Sequence, residues 1–229
     1  MKMNHILKNG TEISFKRLNV QHLDEIMSLQ QKVVNDLLTG SFLQPLDEEE
    51  FLYILEGKGL MIGAYYNEEL IAFRAMMEPE LDEEHLGKGA GLDKSVWSEV
   101  LYSEITNVNP EFRGNGLQVL LGELIMNEVD VERFRYILTT VAPFNIASLK
   151  DKFAHGMKIV SLGEKYNNKL RYTMMKDLKK SDITFKVADR KSIAMAHTNE
   201  QQLLMKKGFV GTKIELVNDE WIVHYEKNE

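Results

Sequence analysis

Glu104-Ile105-Thr106-Asn107-Val108-Asn109-Pro110-Glu111-Phe112-Arg113-Gly114-Asn115-Gly116-Leu117-Gln118 is the stretch on which the reading of this chain turns. Its first part continues a strand expected over 97–108, and Gly114 and Gly116 then allow backbone conformations closed to other residues. Apolar residues at 117, 120, 121, 124, 125 and 129 follow at the spacing of one helix face. Strand, glycine turn and helix N-terminus together build an anion site, because the first N–H groups of a helix have no intrahelical partner. A diphosphate satisfies them.

The chain of 229 residues, 44% hydrophobic, is long enough for one large domain or one domain with a small appendage. Residues 1–17 carry no continuous apolar stretch of the signal-peptide kind and no segment is long enough to cross a bilayer, so cytoplasmic residence without membrane contact is the expectation. Cysteine is absent, which excludes disulfides, thiolate metal sites and a cysteine nucleophile. The six histidines show no HExxH-like spacing, and no metal is expected. A net charge of −7 argues against nucleic acid as a partner. The acidic runs at 47–50 and 82–84 read either as solvated charge or as a negative rim that attracts a cationic amine.

Outward from the glycine turn, alternation predicts a strand over 12–18, helical spacing predicts helices over 22–38 and 46–56, and two strands over 60–66 and 70–77 form a hairpin. Residues 79–96, with Gly87, Gly89 and Gly91, read as a long mobile connection. Downstream come a helix over 116–129, a strand over 136–141, a short helix ending near His155-Gly156, and strands over 158–166 and 170–175. Trp97 and Trp221 read as core anchors. The pattern then resets, with a strand over 183–187, a helix over 192–207, Gly208 and a hairpin turning near Asn218-Asp219. Gly156-Met157 and Gly208-Phe209 end the two helices alike, but the sequences match too poorly to read as a repeat.

The string Val108-x-Pro110-x-x-Arg113-Gly114-x-Gly116-Leu117 resembles the acetyl-CoA-binding motif of the GNAT superfamily of N-acetyltransferases, with Gln118 where that family prefers Gly or Ala. Ala142-Pro143-Phe144-Asn145-x-x-Ser148, closed by Gly156-Met157, resembles the family's second motif, and the order of elements from 12 to 178 resembles its plan. The resemblance implies an α/β fold, a mixed, mostly antiparallel sheet flanked by helices, over 1–178. Residues 179–229 are then a C-terminal β-α-β-β extension docked on it as a lid, as added strands or as a homodimer contact.

It further implies acetyl-CoA as co-substrate. Backbone groups around Asn107 and Val108 would bond the pantetheine arm, backbone N–H groups of Arg113, Gly114, Asn115, Gly116, Leu117 and Gln118 would hold the diphosphate, and Asn145 and Ser148 would touch the lower part of the cofactor. Lys152 stands where many members have an acidic tyrosine and is a candidate phosphate contact.

The chemistry implied is direct transfer to a small-molecule or peptide amine in a ternary complex. An amine of pKa ~10.4 costs roughly 4.6 kcal/mol to deprotonate at pH 7, so a base is needed. Glu104 is the first candidate, on a strand face expected to hold Tyr102, Thr106 and Val108 as well. The Val108 N–H is a candidate oxyanion donor. Tyr166, or Tyr172 on the same hairpin, is a candidate acid, or water serves. The alternative is a CoA-binding sensor or interaction module without turnover; a Rossmann-type dinucleotide site is disfavoured by the lack of a second glycine turn and of the acidic residue that closes the next strand.

Overall fold

The computed structural model describes residues 3–37, 43–165, 168–179 and 187–228. In chain order these form β1 (Met3–Ile6), β2 (Glu12–Arg17), α1 (Leu23–Asp36), α2 (Glu48–Tyr53), β3 (Gly59–Tyr66), β4 (Glu69–Met77), α3 (Leu86–Gly89), β5 (Val100–Val108) and α4 (Leu117–Met126). They continue with β6 (Tyr136–Val141), α5 (Ile146–Ala154), β7 (Lys158–Lys165), β8 (Lys169–Asp177), β9 (Val187–Ala194), α6 (Thr198–Lys206), β10 (Val210–Val217) and β11 (Glu220–Asn228). Two compact units result, 1–79 with 101–130 and 80–100 with 131–229, so the compact units do not divide at residue 178.

In the first unit β1 to β5 lie side by side in sequence order, each antiparallel to the next. The apolar stripe of α1 (Ile26, Leu29, Val33) and Phe51 of α2 cover one face, meeting Phe73, Ala75 and Ile105 in a single buried cluster. Each of the large side chains among them contributes about 1.5–3 kcal/mol on removal from water. Phe51 and Phe73 meet edge to face, ring centres 5.8 Å apart. An Asp47–Glu50 capping box starts α2. The β3–β4 hairpin turns through Asn67 and Glu68, both at positive φ, as a two-residue turn matching strand twist requires. β1 was not anticipated, because four residues with isolated apolar positions carry no usable period.

The second unit orders its strands β6-β8-β7-β10-β11-β9, again with antiparallel neighbours. The long connection that the glycines of 79–96 suggest is instead built into ordered turns. His85 stacks on Trp97 with ring centres 4.5 Å apart, both buried, and its Nδ1 accepts from the Gly87 N–H to start α3. Trp97 lies in a 3-10 turn, Lys94–Glu99, capped by Asp93, so β5 begins at Val100 rather than at 97.

The chain beyond 186 supplies added strands, β10 pairing with β7 where Gly211 faces Ile159. A Cβ at Gly211 would stand 3.0 Å from Ile159 Cβ, so the absence of a side chain lets the strands meet. Residues 192–194 belong to β9, not to a helix over 192–207, and α6 begins only at Thr198. The apolar run Ile193-Ala194-Met195-Ala196 suggests helix, but Ile193 and Ala194 end the strand and Met195 and Ala196 form the turn after it, with Ala194 and Met195 buried and Ala196 exposed. The strand expected at 183–187 lies mostly outside the described residues. Tyr172 and Tyr225 both donate to Gln201 Oε1 at 2.7 Å, while Gln201 Nε2 donates to the Ala194 and Met195 carbonyls. This buried network binds α6 to β8, β11 and the end of β9.

Candidate functional site

β5 delivers the chain to its glycine turn through Asn109, whose N–H bonds the Ile71 carbonyl at 2.8 Å and whose Oδ1 accepts the Glu111 N–H. That Asx cap, with Pro110 behind it, fixes the exit of the strand. Asn115 Nδ2 donates back to the Phe112 carbonyl. Arg113 pairs through its guanidinium with Asp36 at the end of α1, and Lys32 reaches Glu111 at 3.5 Å. The Arg113 side chain is thereby committed to holding the turn, which leaves its backbone for a ligand.

Gly114 and Gly116 both sit at φ +80, in the left-handed region, and Gly116 is the N-cap of α4 with no side-chain cap. A Cβ added at either would meet nothing within 4 Å, so open space lies over an uncapped helix N-terminus that runs on into Leu117 and Gln118. This is the geometry a diphosphate fits, the helix-end dipole and backbone N–H groups supplying what an anion needs.

Below the turn, the β4–β5 register slips by one residue. Ala75 faces Ile105, Met76 faces Ser103, and Glu104 is the extra residue of a β-bulge. Bulges re-aim side chains, and this one overturns the shared face expected from strict alternation. Thr106 and Val108 pair with Arg74 and Ala72 on the α4 side, whereas Tyr102 pairs with Met77, which packs against the α1–α2 core. Tyr102 is therefore on the opposite face from Thr106, and Glu104 sits half-buried at the inversion point.

Two residues of this unit were not foreseen in their side chains. Arg74, 2% exposed, donates from Nη1 to the Gln118 carbonyl in the first turn of α4 and from Nη2 to Ser103 Oγ. It ties the bulged strand to the start of α4; a lone arginine inside the apolar run 70–77 was the available signal. Asn107 pairs with Phe73 on the α1 face, wholly buried, and neither its Nδ2 nor its Oδ1 finds a partner among the described residues.

In the second unit Asn145 caps α5, its Oδ1 accepting the Ser148 N–H at 3.3 Å, so these two expected site residues are brought together. Lys152 is buried, its Nζ 3.2 Å from Asp151 Oδ2, and Asp151 Oδ1 lies 3.2 Å from His155 Nε2. It is part of an internal ionic cluster rather than a surface cation. Tyr172 is occupied by Gln201, and burial raises its pKa, both of which remove it as an acid. Tyr166 lies outside the described residues. Among the described residues no cluster of three or more His, Asp or Glu could hold a metal, and no helix is long and apolar enough to cross a membrane.

No protein-family model matches the sequence, and no curated protein matches it. Solved structures do. The GNAT domain of S. lividans PAT matches with a TM-score of 0.56 at 14% identity, over 77% of this chain and 97% of that domain. YncA of Salmonella typhimurium, a putative acetyltransferase solved with its cofactor acetyl-CoA, matches at 0.56 and 12% identity over 74% and 95%. Arabidopsis thaliana NAA60 in complex with acetyl-CoA matches at 0.56 and 16% identity over 73% and 99%. The chain has the GNAT fold: a mixed α/β architecture with a largely antiparallel sheet flanked by helices.

Proposed function

We propose that this protein is an N-acetyltransferase that moves an acetyl group from acetyl-CoA to an amine by direct transfer. The observation that carries the reading is the uncapped N-terminus of α4 behind the left-handed Gly116, at the end of a strand that bulges at Glu104. Acetyl-CoA supplies the activated acyl thioester. The backbone N–H groups from Arg113 to Gln118 hold its diphosphate, Asn107 and Val108 bond the arm through their main chain, and Asn145 and Ser148 line its lower part.

Glu104 takes the proton from the acceptor ammonium, for which a half-buried carboxylate at a bulge is suited. The Val108 N–H faces negative charge developing on the acyl oxygen. Tyr102, on the other strand face, contacts the acceptor in this reading and does not exchange a proton with Glu104. The thiolate leaves with a proton from water or Tyr166; a thiol pKa of about 8.5 makes strict dependence on an acid unnecessary. The acceptor is a small molecule or peptide amine, an assignment supported by the acidic run at 47–50.

The test is release of free thiol from acetyl-CoA with a panel of amines. Amine-dependent release that falls at least about a hundredfold in Glu104→Gln fits a general base. CoA binding without release across the panel establishes the sensor reading instead, which the burial of Lys152 against Asp151 at the family's usual acid position favours.

A further inference from the structure

Residues 187–228 retrace the path of residues 136–177. One constant shift along the chain takes Ile146 to Thr198 and Ala154 to Lys206, the bounds of α5 and α6, and takes Lys158 to Val210 and Lys165 to Val217, the bounds of β7 and β10. The helix entries agree in an uncommon conformation, φ −75, ψ 71 at Asn145 and φ −84, ψ 66 at His197. The exits agree too, at His155 (−87, 10) and Lys207 (−88, 8), each followed by a left-handed glycine.

The same shift carries the β-bulge between Ile159 and Ser161 onto the bulge between Gly211 and Lys213. β8 (Lys169–Asp177) and β11 (Glu220–Asn228) correspond by a shift one residue shorter, and with it Val141 facing Tyr172 becomes Ile193 facing Val223. Where the halves meet, Ile159 pairs with Gly211, its own counterpart, so a local two-fold axis passes between them. Conserved cap angles, bulge and register are not required by pairing alone and mark a duplicated module.

The second copy lacks the first one's motif. His197 replaces Asn145, Glu200 replaces Ser148 and Leu204 replaces Lys152. What it contributes is contact with the motif of the first. Phe144, at φ +65, is strained for a bulky side chain, and its N–H donates to Met195 Sδ at 3.1 Å. Met195, wholly buried, is itself held by its N–H on the Trp221 carbonyl at 2.7 Å. Lys150 of α5 lies over the Trp221 ring, 5.3 Å from its centre.

We propose that the C-terminal copy has given up ligand binding and holds the coenzyme motif of the first copy, with Met195 as the positioning residue that keeps Phe144 left-handed and the N-terminus of α5 in its binding geometry. This rests on the coenzyme reading of Asn145 and Ser148. Met195→Leu keeps the volume and removes the acceptor, so the competent conformation becomes less populated and apparent affinity falls with it.

The test measures CoA affinity, thermal midpoint and amide hydrogen exchange on the full chain. Met195→Leu is expected to weaken CoA binding about three- to tenfold, the range of one hydrogen bond, with exchange at 144–148 accelerated by a similar factor and 137–141 unchanged. Phe144→Gly in that background removes the strain and restores affinity to within about twofold of wild type. A lowered midpoint with wild-type affinity and wild-type exchange at 144–148, or no restoration by Phe144→Gly, overturns the proposal. Should the wild-type chain bind no CoA, the coenzyme reading falls, and exchange alone decides the positioning role: acceleration confined to 144–148 supports it, its absence rejects it.

Discussion

Replacing Gly116 by alanine should separate what the turn costs from what it binds. The residue has φ +80, where an L side chain costs about 1–2 kcal/mol, partly offset by about 0.4–1 kcal/mol of entropy lost from the unfolded chain. No atom lies within 4 Å of the new methyl, so no clash adds to this. The net loss is about 1 kcal/mol, or roughly 2–4 °C in midpoint for a chain of this size. Coenzyme binding should suffer more, because the methyl enters the space over the α4 N-terminus and displaces the diphosphate from one or two charge-assisted hydrogen bonds, about 10- to 100-fold in Kd. Urea unfolding and calorimetric titration with CoA read the two effects separately. Gly116→Asn, tolerant of the left-handed region, should lose less stability and as much binding. Gly163→Ala in β7, with equal open space and no positive φ, should change neither. If Gly116→Ala loses its 1 kcal/mol yet binds CoA like wild type, the open space is not a coenzyme site.

Burial raises the pKa of Tyr65, Tyr172 and Tyr225, so each keeps its proton in the folded chain beyond the unfolded value near 10. Their contribution is intact below pH ~10 and lost as pH climbs above it, at up to about 4 kcal/mol per pH unit for the three; phenolate absorbance should lag for these groups until the chain unfolds, and their early titration would contradict it. Gln201→Leu strands two buried hydroxyls and should cost about 2–5 kcal/mol in urea unfolding, against about 1 kcal/mol for Tyr225→Phe. Gly59→Ala would put a methyl 2.1 Å from the Met76 carbonyl oxygen, so it should destabilise by at least about 3 kcal/mol or abolish soluble expression; a wild-type midpoint would refute the close packing of β3 on β4.

What the sequence carried plainly was local. The Asn67-Glu68 hairpin, the glycine turn and α4, and the short α5 before Gly156 all rest on signals within a few residues, namely positive-φ turns, caps and period. What it hid was set by pairing across distance. The bulge at Glu104 leaves no mark in composition yet places Tyr102 and Thr106 on opposite faces. The His85–Trp97 stack orders a glycine-rich run that has no period of its own. The duplication is invisible because side chains diverged while caps, bulge and register were kept. Of the candidate site, the backbone cradle was legible from Gly114 and Gly116, whereas Arg74 and the Phe144–Met195 contact depend on neighbours far along the chain.

The central claim is that the main-chain amides entering α4 receive a coenzyme's diphosphate, and amide chemical-shift mapping during titration with CoA tests it most directly. The account predicts saturable shifts centred on Gly114 to Leu120, with the midpoint moved to about 10- to 100-fold higher CoA in Gly116→Ala. Saturable shifts confined to other segments, or none at all with folded protein, would contradict it.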